Sequence, residues 1–326
     1  MSDSAISVKD LKKYYSVYQK QPGFLGSINS FFNRKYKEVK AVDEVSFEID
    51  EGELVGFIGP NGAGKTTTLK VLSGLLYPTS GHIRILGKEP FKREKSFQIN
   101  ISLIMGQKNQ LWWDLPAMDS FVLNKEIYEI NEQKFKDNLK KLSEMLEVGD
   151  VLTTPVKKLS LGQRMKCELI AALLHAPKVL FLDEPTIGLD VVAQQNMRNF
   201  IKEYNKEFNA TIILTSHYMG DVKELCKRVI IINEGKIMYD GSLDEIVTKF
   251  APVKLIKIDF SNEVNRQNLE KFGRVSNFSK THAEIEIKKD EVAIKTSKIL
   301  SCFDVVDLTV EDPEIETIIR EYFLSL

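Results

Sequence analysis

The sequence is poor in cysteine and lacks long apolar runs. Its 326 residues include only three cysteines, Cys167, Cys226 and Cys302, which form no C-x-x-C pair. This pattern excludes a disulfide framework and a cysteine zinc site, and it is typical of a reducing compartment. No apolar run approaches the ~18 residues of a membrane span, and the first residues show no cationic region followed by an apolar one. We therefore expect a cytoplasmic chain that reaches a membrane only through a partner.

The chain also has almost no excess charge, with 45 basic residues, 46 acidic residues and a net charge of −1. A balance of this kind gives no electrostatic reason to expect nucleic acid or an anionic membrane surface as a partner. His82, His175 and His282 are isolated and show no metal-ligand spacing, so we interpret them as structural or surface residues. The length allows about two domains.

The stretch GPNGAGKT, residues 59–66, fits the pattern G-x-x-x-x-G-K-S/T. An apolar run at 54–58 predicts a buried strand before it, and the unbroken run that follows predicts a helix. Glycines let backbone N–H groups turn inward around an anion, and the helix N-terminus adds about half a positive charge. Lys65 would then reach the β- and γ-phosphates, and the Thr66 hydroxyl would bind Mg²⁺. The nucleotide-phosphate site predicted in place of an ordinary glycine-rich turn comprises Gly59, Pro60, Asn61, Gly62, Ala63, Gly64, Lys65, Thr66 and Thr67.

A second apolar strand, predicted at 179–182, ends in two adjacent carboxylates, Asp183 and Glu184. Packing explains the apolar residues but not the acids, because burying charge is costly unless a cation or a reaction uses it. Beside a phosphate loop, Asp183 would hold the Mg²⁺ shell and Glu184 would polarise the attacking water. An acidic turn is the alternative interpretation.

The order of predicted elements is typical of an α/β protein with a smaller appended domain. Strand 179–182, helix 193–208 and strand 211–215 predict a βαβ unit, while 39–49 alternates as in an antiparallel strand. A helical pattern runs from about 119 to 146, and a breaker-rich insertion with a basic cluster lies at about 19–37. This cluster is interpreted as a solvated loop, with a lipid-headgroup contact as the alternative. After residue 250 the pattern changes, and strands at 253–260, 283–287 and 303–310 with helices at 290–300 and 313–324 predict a small α+β domain.

Residues 159–164, LSLGQR, place Ser160 as the N-cap of a helix at 161–175, with Gly162 allowing close approach to its free N–H groups. This segment resembles the signature motif of ABC-type ATPases, and the order of motifs matches that family. A Q-loop glutamine falls at Gln107, a D-loop at 188–190 and a switch histidine at His217. The resemblance covers roughly residues 6–245. It implies a phosphate-loop NTPase core of the ABC type with an antiparallel β subdomain and a helical subdomain at about 108–176, all within 1–250, followed by the accessory domain 251–326.

The resemblance also implies roles for individual residues, with ATP and Mg²⁺ as cofactors. Thr66, Gln107 and Asp183 would organise Mg²⁺, and Glu184 would be the general base. His217 would contact the γ-phosphate. Ser160, Gly162 and Gln163 would complete the site of a second subunit in a head-to-tail dimer, expected to be a homodimer. Leu161 stands where the family usually has glycine, so the direction of its amide is open.

The aromatic residue that stacks on adenine in this family precedes the phosphate loop. Tyr14 is the matching position and Tyr15 the second candidate. The insertion at 19–37 makes the separation from the loop longer than expected. A surface tyrosine at a strand end is the alternative interpretation.

The predicted function is the ATPase subunit of an ABC transporter, bound to the cytoplasmic face of the membrane through a separate polytopic permease. The sequence around Gln107 and Pro185–Asp190 resembles bacterial multidrug or uncharacterised export ATPases, which favours export over import. A soluble ABC ATPase acting on ribosomes or DNA is the alternative, but the chain has one copy of each motif, no heptad run and no net basic charge. A nucleotide-binding module without turnover would fit a chain lacking Glu184 or His217, and both are present.

Trp112 and Trp113 follow Gln107, and adjacent residues cannot both face one core. We therefore predict that the permease docks beside this pair, because tryptophan is enriched at interface centres. The alternative is that both rings pack into the helical subdomain.

Overall fold

The structure, a computed structural model, describes residues 4–18, 36–106, 110–250 and 253–313, together with Ile318. The chain divides into two compact units, residues 1–241 and residues 242–326. The sequence analysis put the boundary after residue 250. The difference arises because the helix at 243–250 belongs to the second unit.

A six-stranded sheet forms the centre of the first unit, in the order β5-β6-β7-β3-β8-β9. Its strands are β3 (Leu54–Ile58), β5 (Ile101–Met105), β6 (Val179–Asp183), β7 (Thr211–Thr215), β8 (Arg228–Asn233) and β9 (Lys236–Ser242). The pairs from β5 to β8 are parallel. Parallel strands covered on both faces are apolar throughout, and β7 is buried along its whole length. All five parallel strands therefore end at one edge of the sheet, where ligands bind in open α/β sheets.

A three-stranded antiparallel sheet, in the order β2-β1-β4, packs against the same core. It consists of β1 (Ser4–Tyr18), β2 (Tyr36–Asp50) and β4 (Ser80–Ile85). Val45, Phe47 and Ile49 alternate with exposed neighbours, as the sequence pattern predicts. Pairing of β1 with β2 continues to Tyr18 and Tyr36, so the last two residues of the predicted insertion are strand. The rest of the insertion, 19–35, lies outside the described residues.

Helices accompany the two sheets in the first unit, and those within residues 117–173 contact one another as a helical layer. They are α1 (Lys65–Leu72), α2 (Lys95–Gln98), α3 (Ala117–Ile127), α4 (Glu132–Leu146), α5 (Leu161–Leu173), α6 (Val191–Phe208) and α7 (Met219–Leu225). The prediction of one helical stretch from 119 to 146 was wrong, because the chain breaks between α3 and α4. Glu129 takes a left-handed φ of 50°, and Asn131 caps α4 by accepting a hydrogen bond of 2.8 Å from the Gln133 N–H. In the part of the chain that the structure describes, no helix is long and apolar enough to cross a membrane.

The second unit contains an antiparallel sheet in the order β11-β12-β10-β13. Its elements are α8 (Leu243–Phe250), β10 (Val253–Phe260), α9 (Arg266–Leu269), β11 (Arg274–Phe278), β12 (His282–Lys288), α10 (Val292–Cys302) and β13 (Val305–Glu311). From β10 to β13 the order is β-α-β-β-α-β with a core of its own, centred on Ile256, Ile258 and Ile285. Sequence analysis missed α9 and β11, whose residues are mostly polar. The helix predicted at 313–324 lies outside the described residues, apart from Pro313 and Ile318.

His175, just after α5, is a buried structural residue. Its Nε2 lies 3.1 Å from the Ile101 carbonyl oxygen, and its ring stacks on Tyr128 with centroids 3.9 Å apart. Its Nδ1 has no hydrogen-bond partner in the described part of the chain. Burial lowers the pKa of His175 from 6.5 to about 4. The folded chain therefore keeps this ring neutral where the unfolded chain would protonate it.

We expect the free energy of unfolding to fall as the pH drops from 6.5 to about 4, because His175 is then protonated in the unfolded state but stays neutral in the folded state. The loss from His175 alone should reach about 2–3 kcal/mol at the acid end of that window. His175→Phe keeps a stacking ring and should remove this part of the pH dependence in urea titrations at pH 7, 5.5 and 4.5. The exposed His82→Gln is the matched control, and an equal change in both variants would contradict the prediction.

Candidate active site

The phosphate loop, residues 59–64, joins the end of β3 to the start of α1. A Cβ on Gly59 would lie 2.1 Å from the Ile232 carbonyl oxygen, and one on Gly64 would lie 2.2 Å from that of Ala41. Gly64 also has a φ of 108°, so both positions require glycine. The loop therefore lies directly against β8 and β2. Pro60, Asn61 and Gly62 are exposed, Thr67 is half-buried and Ala63 is buried.

Lys65, the first residue of α1, has its side chain folded back under the loop. It is 6% exposed, and its Nζ donates to the carbonyl oxygens of Gly59 at 2.6 Å and Pro60 at 3.0 Å. Burial lowers the pKa of Lys65, while the charges of Glu184 and Asp183 partly offset this effect. Among the described residues, the Lys65 ammonium has no carboxylate in hydrogen-bond contact and donates only to backbone carbonyls, an arrangement that suits an anionic ligand.

Thr66 and Asp183 bring one hydroxyl and one carboxylate together. The Thr66 hydroxyl lies 2.8 Å and 3.1 Å from the two carboxylate oxygens of Asp183, and the Thr215 hydroxyl donates to the same carboxylate at 2.7 Å. Oxygen donors of this kind fit Mg²⁺, which keeps water and phosphate oxygens in its shell. Among the described residues no group of three or more His, Cys, Asp or Glu could hold a metal alone. A Mg²⁺ ion would therefore depend on a bound phosphate, and Gln107 lies outside the described residues.

Glu184 and His217 meet at the ends of β6 and β7, with Nε2 of His217 2.6 Å from Oε1 of Glu184. The Glu184 N–H donates to the carbonyl and the hydroxyl of Thr215, at 3.0 Å and 3.1 Å. Glu184 has a φ of 55°, which is uncommon for a residue with a Cβ. Strained backbone of this kind is concentrated at functional sites, where surrounding contacts hold it. A Cβ on Gly106, at the end of β5, would lie 2.2 Å from the Glu184 carbonyl oxygen.

Ser160 caps α5 and forms a capping box with Gln163. The Gln163 N–H donates to the Ser160 hydroxyl at 3.2 Å, and the Ser160 N–H donates to Oε1 of Gln163 at 3.0 Å. Leu161 begins the helix with an ordinary φ, and its side chain lies against Gly188. Within the described ranges, no hydrogen bond or ion pair joins Ser160, Gly162 or Gln163 to the phosphate loop or to Glu184.

Tyr14 lies on β1 opposite Lys40, one residue before the Ala41 carbonyl that contacts Gly64. Its hydroxyl donates to Asp43, and this bond raises the pKa of Tyr14. The Lys40 ammonium lies 5.1 Å from the centre of its ring. Through Asp43 and Lys40, Tyr14 therefore contacts the segment of β2 that lies against the phosphate loop. The ring of Tyr15 contacts Lys13 instead.

Sequence reasoning did not single out Thr215, which holds both Asp183 and the Glu184 backbone. The sequence did contain an indication of this role, because Thr215 is the polar residue that ends an apolar strand directly before Ser216 and His217. The sequence analysis also did not identify Asp43 or Asp221, because an acid in a strand or helix is usually a solvated surface residue.

The fold and this site define a phosphate-loop nucleotide hydrolase, and comparison with known proteins gives its family. The family model described as ABC transporter matches residues 42–187, and the model described as EvrA-like ABC transporter, C-terminal domain matches 252–311. The ABC transporter ATP-binding protein NatA of Bacillus subtilis is 35% identical over 66% of this chain and 87% of its own length. The linearmycin resistance ATP-binding protein LnrL of the same species is 28% identical over 90% of this chain and 95% of its own.

A solved structure of the ATP-binding subunit of an ABC transporter superposes with a TM-score of 0.62 and 26% identity, covering 76% of this chain and 93% of that one. The chain belongs to the ATP-binding proteins of ABC transporters, and it is an ABC-type ATPase. The α/β fold expected from the sequence is confirmed.

Proposed function

We propose that this chain hydrolyses ATP to drive export through a separate membrane permease. The observation that carries the hydrolytic part is the convergence of Lys65, the Thr66–Asp183 pair and the Glu184–His217 pair at one edge of the sheet. Export and a separate permease are supported by the relatives, one of which is named as a linearmycin resistance ATP-binding protein and matches 90% of this chain.

In this mechanism the loop amides and Lys65 bind the ATP phosphates. Thr66 and Asp183 would hold Mg²⁺, with Gln107 joining them by resemblance, and the bound ion would supply positive charge to the phosphate oxygens. Glu184 accepts the proton of the attacking water. Its Oε1 is held by His217, and its Oε2 has no hydrogen-bond partner among the described residues, so the second oxygen is available to water. Tyr14 stacks on adenine.

We propose further that two copies form a head-to-tail dimer in which Ser160, Gly162 and Gln163 complete the partner's site. The ATP-binding cassette MJ0796, whose solved structure is dimeric, is 21% identical to this chain with a TM-score of 0.59. Among the described residues, no hydrogen bond or ion pair joins Ser160, Gly162 or Gln163 to the phosphate loop of the same chain. Beside it, the start of α6 exposes two adjacent valines, Val191 at 76% and Val192 at 71%. Exposed apolar side chains at this level are typical of a surface that a partner covers.

The permease surface that we propose lies on the helical layer. Trp112 is 52% exposed and Trp113 is 47% exposed, so the alternative that both rings pack into the helical core is wrong. On α3, Val122, Leu123 and Ile127 are also exposed. Arg164 of α5 lies 5.5 Å from the centre of the Trp113 ring. A partner that contacts Trp113 would therefore also affect Arg164, which lies at the start of α5 directly after Gln163.

Residues 251–326 are proposed as an accessory domain. None of the residues assigned to the site lies in this part of the chain, and its sheet has a core of its own. Its proposed contribution is to tune the ATPase.

Replacing Trp112 or Trp113 with Ala tests the coupling to a permease. We expect normal ATPase activity and melting temperature of the free subunit, but at least about a tenfold loss of transport with the permease, because exposed aromatic anchors contribute ~2 kcal/mol or more at interface centres. Tyr77→Ala removes an equally exposed aromatic elsewhere on the first unit and is the control. A parallel fall in melting temperature and basal ATPase activity would show that the tryptophans support the fold, and the docking proposal would then be rejected.

A further inference from the structure

Asp221, on α7, is the most deeply buried carboxylate near the site, with no exposed surface. It accepts three hydrogen bonds from side chains. The hydroxyls of Thr186 and Ser216 donate to Oδ2 at 2.5 Å and 2.7 Å, and Nη1 of Arg198 donates to Oδ1 at 2.9 Å. Every one of these partners comes from a different segment of the chain.

The three segments are the ones that surround the hydrolytic residues. Thr186 lies two residues after Glu184, and Ser216 directly precedes His217. Arg198 lies on α6, the helix whose first residues, Val191 and Val192, form the exposed apolar surface. A single carboxylate therefore joins the Glu184 loop, the His217 loop and α6.

Packing alone does not explain an acid at this position. Burying a carboxylate costs free energy unless it is paired and hydrogen-bonded, and an apolar side chain beside the buried Val222 would avoid that cost. A carboxylate only accepts hydrogen bonds, so it fixes the direction in which both hydroxyl groups point. An apolar residue cannot do this. The arrangement keeps two loops at a set distance from each other.

We propose that Asp221 is a positioning residue for ATP hydrolysis. It holds the loops of Glu184 and His217 so that their contact of 2.6 Å is maintained, and it connects both loops through Arg198 to α6. This inference rests on the proposed roles of Glu184 and His217.

Asp221→Asn should separate turnover from binding. We expect kcat to fall at least about tenfold, because the isosteric amide cannot accept from all three donors and the general base is displaced. ATP affinity should stay within about twofold, since none of the described hydrogen bonds of Asp221 involves the phosphate loop. The measurements are kcat and KM of the full-length chain, with Kd for ATP determined separately by titration.

Glu224→Gln is the matched control. Glu224 lies three residues further along the chain, and its Oε2 lies 2.6 Å from Nε of the same arginine, yet it touches neither loop hydroxyl. Its removal takes one carboxylate from Arg198, and we expect kcat to change by less than about twofold. An equal loss of kcat in both variants, or an unchanged kcat in Asp221→Asn, would overturn the inference.

Ser216→Ala and Thr186→Val test the same idea with the Arg198–Asp221 ion pair intact, in case Asp221→Asn does not fold. Each should lower kcat with Kd for ATP unchanged. If the residues act through Asp221, the losses in double variants with Asp221→Asn should be clearly less than multiplicative. Full activity in both single variants would contradict the inference.

Glu184→Gln, assayed in parallel, separates this inference from the proposed function. If Glu184→Gln abolishes turnover while Asp221→Asn does not affect it, the proposed function stands and only the positioning role is rejected. If Glu184→Gln retains full turnover, the proposed general base is wrong.

Discussion

Glu184→Gln is expected to lower ATP turnover at least about 100-fold while leaving ATP binding intact, because a general base contributes about 10²–10⁴ to the rate. The amide keeps the size of the side chain and can still contact His217, 2.6 Å away in the native chain. It cannot take the proton of the attacking water. Phosphate binding is proposed to depend on Lys65 and the loop amides, which this change does not alter.

The same variant should trap a dimer when ATP and Mg²⁺ are present, since hydrolysis is the step that would release it. Size-exclusion chromatography with light scattering, with and without ATP and Mg²⁺, measures this directly. Glu203→Gln, an exposed acid on α6, is the control and should turn over ATP normally without a trapped dimer. A monomer under both conditions, with nucleotide demonstrably bound, would contradict the head-to-tail arrangement.

The sequence was sufficient to predict which chain segments form the site. The resemblance to ABC-type ATPases assigned the motifs after β3, β6 and β7 to one site, and they meet because parallel strands end at one edge of a sheet. The contacts of Thr66 with Asp183 and of Glu184 with His217 follow from that rule. Local patterns were equally informative for α5, whose Ser160 cap and Gln163 form the capping box that such residues favour.

Contacts between distant segments were not predictable in this way. Asp221 was overlooked because a single acid early in a short helix usually faces solvent, and its partners at 186, 198 and 216 converge only when the fold forms. Strand β11 was not predicted, for a related reason. Its residues are mostly polar, and only Val275 is buried in the core of the second unit.

The break between α3 and α4 shows the limit of periodicity. The spacing of Phe135, Leu139, Leu142 and Leu146 predicts one apolar stripe on α4, and of these Leu139 is half-buried while the other three are buried. The turn before it depends on backbone conformation at Glu129, which no apolar spacing reveals. Periodicity thus identified the buried face of the helix but not the residue at which the helix begins.

Lys65→Ala is expected to weaken ATP binding about 10- to 100-fold, since each charge-assisted hydrogen bond to a phosphate contributes about 1.5–3 kcal/mol. The ammonium is buried beneath the loop, where its only described hydrogen bonds are to the carbonyl oxygens of Gly59 and Pro60. An incoming phosphate supplies the negative charge that this buried cation lacks. Turnover should fall further than binding, because charge on the phosphates grows as the bond to the leaving group breaks.

The fold itself should tolerate this change, which is what distinguishes a binding role for Lys65 from a structural one. Removing the side chain loses two hydrogen bonds but also relieves the burial that lowers the pKa of the ammonium. These effects oppose each other, so we expect the free energy of unfolding to change by less than about 1 kcal/mol. Lys70→Ala, later on α1, is the control and should bind ATP normally. Isothermal titration with ATP and urea unfolding measure both quantities, and a Lys65→Ala variant with native ATP affinity would remove this residue from the site.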